Sequence, residues 1–178
     1  AAAAQPTTSM GRIARVLRSS IEELWTTRRL CASLSGCVLL DRFRIDSVFA
    51  TVPRALKACG HDLALDCPAV IKLARERRYA AALQAEARLL NSLSEVPQVP
   101  RLLYFSSPYA AVPFCVTEAM EGMRLSQVFR AVQEGQREPI TTTEAAELAD
   151  GLLQGVDRCH QRLVINLGLH PDSIWVCP

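Results

Sequence analysis

The apolar positions Ile13, Val16, Leu17, Ile21, Leu24 and Trp25 recur at helical spacing behind Ser9, a residue that caps helices well. They predict an amphipathic helix running to about Leu30, packed on its own domain or on a partner, after a disordered, Ala-rich lead-in over residues 1–9. From Val38 to Leu73 the pattern shortens to strand length, with Val38-Leu39-Leu40, Phe43-Arg44-Ile45, Val48 to Val52 and Ala69 to Leu73 as candidates. Gly60-His61-Asp62 is expected to break that run, which makes His61 a loop residue. Arg78 to Leu93 is a stretch of strong helix formers with Leu83, Ala87 and Leu90 on one stripe. Leu102 to Phe105 and Pro113 to Glu118 give two further strands, separated by the turn-like Ser106-Ser107-Pro108. Leu125 to Phe129 begins a short helix. After Thr143, a capping arrangement with Glu144 to Glu147 opens a long helix that ends near His160. Ala146, Leu148, Ala149, Leu152, Leu153 and Val156 are its expected buried face. The prediction is an α+β fold built on one antiparallel sheet with a crossing helix, and no internal repeat is visible.

Two segments carry chemistry. Residues 159–176 read Cys-His-Gln-Arg-Leu-Val-Ile-Asn-Leu-Gly-Leu-His-Pro-Asp-Ser-Ile-Trp-Val, and Pro68-Ala69-Val70-Ile71-Lys72-Leu73 places a lysine in an apolar strand. The first resembles the catalytic loop of protein kinases, H-R-D-L-x-x-x-N, whose Asp accepts the substrate proton and whose Asn holds magnesium. Here Asn166, Gly168 and Ser173 stand at the His, Asp and Asn positions, while Leu169, Pro171, Ile174 and Val176 keep the frame. The second resembles the V-A-I-K strand, whose Lys contacts nucleotide phosphates and pairs with a helix Glu, here Glu86. Phe114 to Gly122 is similar to the strand and hinge that receive adenine, with Thr117 as gatekeeper. The chain is thus identified with the protein kinase-like superfamily, as a degenerate, pseudokinase member.

That resemblance implies a two-lobed α+β fold with 10–33 as a helical extension, 34–121 as the small lobe and 122–178 as an incomplete start of the large lobe. The metal-binding segment that follows the catalytic loop in kinases is expected after residue 178, and the leading Ala suggests a start inside a longer protein. The resemblance further implies a nucleotide site of Val52, Val70, Lys72, Glu86, Thr117, Glu118 and Met120, with Val70 larger than the alanine that commonly faces adenine. Aligning the glycine-rich loop back from Val52 puts Ile45, Ser47 and Ala50 at its three glycine positions. A backbone that must approach phosphates uses glycine there, so a stiff hairpin, weak or lost ATP binding and no strong magnesium site are expected. Asp172 is the one nearby carboxylate able to substitute for the missing base. Leu169-His170-Pro171 is also similar to the L-H-P of small-molecule kinases, although those too use the Asp that Gly168 replaces.

The functional expectation is a regulatory or binding module with little phosphotransfer and a protein partner. The alternative is an atypical active kinase acting on Ser/Thr, then a small-molecule phosphotransferase. Net charge of +2 implies no nucleic-acid partner. Arg75, Arg77 and Arg78, and Arg12, Arg15 and Arg18, read as solvated faces, with a phosphate or acidic-partner patch as the alternative. Seven cysteines without C-x-x-C spacing suggest no zinc site and slightly favour a reducing, cytoplasmic setting. No apolar stretch is long enough for a membrane span. Ala1 to Ala4 is too short for a signal core.

Overall fold

The computed structural model describes residues 33–165 and 168–177; the expected N-terminal helix, its arginines and Asn166 lie outside them. The chain divides into two compact units, one formed by residues up to Arg88 with Leu102–Ala119, the other by Leu89–Arg101 with the chain from Met120 onward.

The first unit is a six-stranded antiparallel sheet. Its strands are β1 (Val38–Leu39), β2 (Phe43–Val52), β3 (Ala55–Asp62), β4 (Cys67–Ala74), β5 (Leu102–Phe105) and β6 (Phe114–Glu118), ordered β1-β2-β3-β4-β6-β5. Side chains alternate between faces along a strand. Leu56, Ala58, Ala69, Ile71, Leu73 and Val116 therefore share one face and are fully or almost fully buried. Phe43, Tyr104 and Phe114 complete that core, with ring centroids 5.3 to 6.3 Å apart. Helix α1 (Ala80–Ser92) follows a single 3-10 turn at Arg77–Tyr79. It buries Leu83 and Ala87 with Ala74 and Cys115, with Tyr79, Leu102 and Phe105 packed around them. Leu90, expected on the same stripe, is only half-buried.

Two expectations fail in this sheet. Gly60-His61-Asp62 does not break the chain; it is the end of β3, paired with Ile45, Arg44 and Phe43 of β2. Glycine is needed there for close approach. A Cβ at Gly60 would lie 2.2 Å from the Arg44 carbonyl oxygen, and β2 bulges immediately beside this point, between Ile45 and Ser47. His61 is accordingly a strand residue, its Nε2 2.9 Å from Asp66 Oδ1. Ile45, Ser47 and Ala50 lie within the ten-residue β2, Ile45 in the core, and the β2–β3 turn falls at Pro53-Arg54. The expected gap between Ile45 and Val48 is a bulge, not an interruption.

Asp62 closes the β3–β4 turn. Its buried carboxylate takes a two-pronged contact from Arg42, at 2.9 and 2.7 Å, and accepts the backbone N–H groups of Ala64 and Leu65. The Arg42 hydrogen bond, reinforced by those N–H groups against the cost of burial, lowers its pKa to about 2.

In the second unit, β7 (Met123–Arg124) pairs antiparallel with β8 (Trp175–Val176), beside helices α2 (Leu125–Gln133) and α3 (Thr142–Gln161) and a 3-10 turn at Pro171–Ser173. The α3 cap is Thr141, two residues before the expected Thr143. Its hydroxyl accepts the Glu144 N–H while Glu144 accepts the Thr141 N–H, the reciprocal S/T-x-x-E arrangement. The expected buried stripe of α3 is not buried. Ala146, Ala149 and Leu153 are exposed, Leu148, Leu152 and Val156 are half-buried, and only Gly155 is enclosed. Gly155 is covered by Gln98, which also accepts from Arg158 at 3.2 Å. Arg162 fixes the same segment through the Ser92 carbonyl at 3.0 Å and Glu95 at 2.5 Å. Among the described residues no helix is long and apolar enough to cross a membrane.

Candidate functional site

Strand alternation sets the site. With Ala69, Ile71 and Leu73 turned into the core, Val70, Lys72 and Ala74 must occupy the opposite face, where α1 packs. Register places Lys72 between Lys57 of β3 and Cys115 of β6, and Val70 between Cys59 and Thr117. On α1, Leu83 and Ala87 anchor the helix, and Glu86 follows Leu83 by three residues, one turn along the same side. The Lys72 ammonium donates to Glu86 Oε1, with the lysine side chain 21% exposed and the carboxylate 40%. Beneath them Cys115 is enclosed; burial first, then the neighbouring Glu86 charge, push its thiol up to about 12. It is a packing residue and no nucleophile at neutral pH.

A cavity of about 310 Å³ opens beside this pair, lined by the β2–β3 turn, β4 and α1. Of the expected nucleotide-site residues, Val52, Lys72 and Glu86 line it. Val70 and Thr117 share the same sheet face but lie outside the lining, one register row along. Glu118 ends β6, and Met120 belongs to the second unit. Sequence reasoning missed Arg54, Lys57 and Tyr79, which also line the cavity. Lys57 was legible in principle: once Ala55–Asp62 is a strand, alternation puts Lys57 with Ala55 and Cys59.

The loop of residues 168–173 is braced by its own polar groups. The Ser173 hydroxyl donates to the His170 carbonyl at 2.8 Å and accepts the His170 N–H at 3.1 Å. His170 Nδ1 in turn accepts the Asp172 N–H at 3.2 Å. Asp172 accepts a hydrogen bond from the Ser126 hydroxyl of α2, and its side chain is 63% exposed. Gly168, at the expected base position, offers only backbone. Gly122, with φ +98°, lets the chain pass against β8, since a Cβ there would lie 2.0 Å from the Val176 carbonyl oxygen. Among the described residues no group of three or more His, Cys, Asp or Glu side chains could hold a metal ion.

No protein-family model matches the chain. A search of curated proteins finds no match either.

Proposed function

We propose that the chain is degenerate protein kinase-like and acts as a regulatory or protein-binding module with little phosphotransfer. The observation that carries the reading is the Lys72–Glu86 contact between β4 and α1. The antiparallel sheet with a helix packed across it fits a kinase small lobe. In kinases the equivalent ion pair orients phosphates; here it holds α1 against the sheet. Gly168 has no group to take a proton, and the Ser173 hydroxyl is spent on closing its own loop. General-base catalysis and charge stabilisation of a transferring phosphoryl group both lack a residue. A stiff β2 in place of a glycine loop adds to this.

A second reading is an atypical active kinase. It is favoured by Asp172, a largely exposed carboxylate on the same loop, already hydrogen-bonded to a hydroxyl.

Magnesium dependence tests the first reading. A ligand that binds only the folded state raises melting temperature with its concentration. The reading expects that adding magnesium to millimolar ATP gives no further stabilisation; a large magnesium-dependent rise would refute it.

A further inference from the structure

Two turns meet at one end of the sheet. Phe43, which opens β2, is the register partner of Asp62, which closes β3. The β1–β2 turn at Leu40-Asp41 therefore stands beside the β3–β4 turn at Leu63 to Asp66. The Leu63 N–H donates to the Arg42 carbonyl at 2.8 Å, and the Arg42–Asp62 contact braces the same junction. On this base Leu40, Leu63 and Leu65 are 50%, 45% and 53% exposed. Leu40 and Asp41 both have a left-handed backbone, at φ +51° and +52°, in a turn that ordinarily takes Asn-Gly. A leucine at its first position is strained. Strain held in place by its surroundings points to a use for the group it presents. Asp41 and Asp66 are both exposed and give these leucines an acidic rim, with Asp66 also meeting His61.

The segment that leads into this sheet carries a matching pattern. Leu34 is buried in the sheet core and precedes Leu40 by six residues, at most ~20 Å of chain. Nine residues join Trp25 to Leu34, enough to span ~30 Å. As a helix, residues 13–25 would be about 18 Å long, close to the roughly 15 Å across the ends of four strands. At about 100° per residue, Arg12 and Arg18 flank the start of the apolar stripe on its two sides. An apolar stripe between arginines is complementary to leucines rimmed by aspartates. We propose that residues 13–25 dock as an amphipathic helix on Leu40, Leu63 and Leu65 of the same molecule, with Arg12 and Arg18 toward Asp41 and Asp66. Tethering raises the effective concentration, so a small patch suffices. An isolated helix of this length is marginal in water, so its order depends on docking. The inference is independent of the reading of Lys72 and Gly168.

Hydrogen exchange of the full chain, read by mass spectrometry at two protein concentrations, tests this. Amides of residues 13–25 are expected to be protected, equally at both concentrations. Leu65→Ser removes one leucine from the patch and is expected to speed their exchange about fivefold or more, as the lost apolar burial implies. Leu40→Asn is the second variant. Asn tolerates the left-handed turn, so β2 is expected to stay protected while the segment is released. Tyr109→Ser, exposed on the β5–β6 connection at the opposite end of the sheet, is expected to exchange as the parent does. Exchange of residues 13–25 at free-chain rates in the parent would overturn the proposal. So would equal protection in the parent and both patch variants, or release by Tyr109→Ser. Protection that rises with protein concentration would also overturn it, by assigning the cover to a second copy.

Discussion

The Lys72–Glu86 contact joins a strand to a helix, and its removal has a calculable range. The lysine side chain is four-fifths covered, but the Glu86 carboxylate is 40% exposed, so solvent screens the pair from one side. Fully exposed pairs contribute about 0.2–1 kcal/mol. Breaking a fully buried pair costs about 3–5 kcal/mol because one charge is stranded. With one partner well covered and the other open to water, the expected coupling is about 1 kcal/mol. Lys72→Met, Glu86→Gln and the double variant form a cycle in which that coupling appears as non-additivity. Urea unfolding at low and high salt measures it, and the coupling should shrink as salt rises. Additive single variants with unchanged melting would show that the contact does not hold α1 to the sheet.

Asp62 makes stability depend on acid. Its carboxylate titrates at about 2 in the folded chain against an ordinary 3.8, worth about 2 kcal/mol at 1.36 kcal/mol per pKa unit. Because the folded pKa is the lower one, that stabilisation is complete above about pH 4 and is lost as pH falls through about 2. Asp62→Asn should therefore lower stability at pH 7 and converge with the parent near pH 2; parallel curves down to pH 2 would refute this. Cys115, with its thiol pushed up to about 12, should resist maleimide at pH 8 until the chain unfolds, while exposed Cys177 labels at once. Mass mapping of the modified peptides decides it, and labelling of native Cys115 at the Cys177 rate would contradict the burial.

Short-range patterns carried most of the sheet. Ala69 to Leu73 reads as a strand because its apolar run is short and β-branched. Leu83 and Ala87 follow because helix spacing is local. Gly60 misled because glycine is a turn signal unless another strand presses against it, and only the β2–β3 register shows the Arg44 carbonyl 2.2 Å from its missing Cβ. The α3 stripe misled for the opposite reason. Periodicity shows which face of a helix is apolar, but burial depends on what packs against it, and in this helix Gly155, against Gln98, is the residue that is buried. Lys72 and Glu86 were recognisable from motif and spacing. Lys57 was hidden by the misread β3, and the bracing role of Ser173 depends on a hairpin-tight loop that no local pattern encodes.

Phosphoryl transfer is the most direct measurement. The chain is incubated with radiolabelled ATP and magnesium, with generic protein substrates, beside Asp172→Ala. Loss of a general base alone costs about 10²–10⁴-fold in rate, and loss of charge stabilisation about 10²–10³-fold more. The account predicts incorporation at background in every sample. Robust incorporation into the chain or a substrate that disappears in Asp172→Ala would contradict it, and would make Asp172 the base of an active kinase.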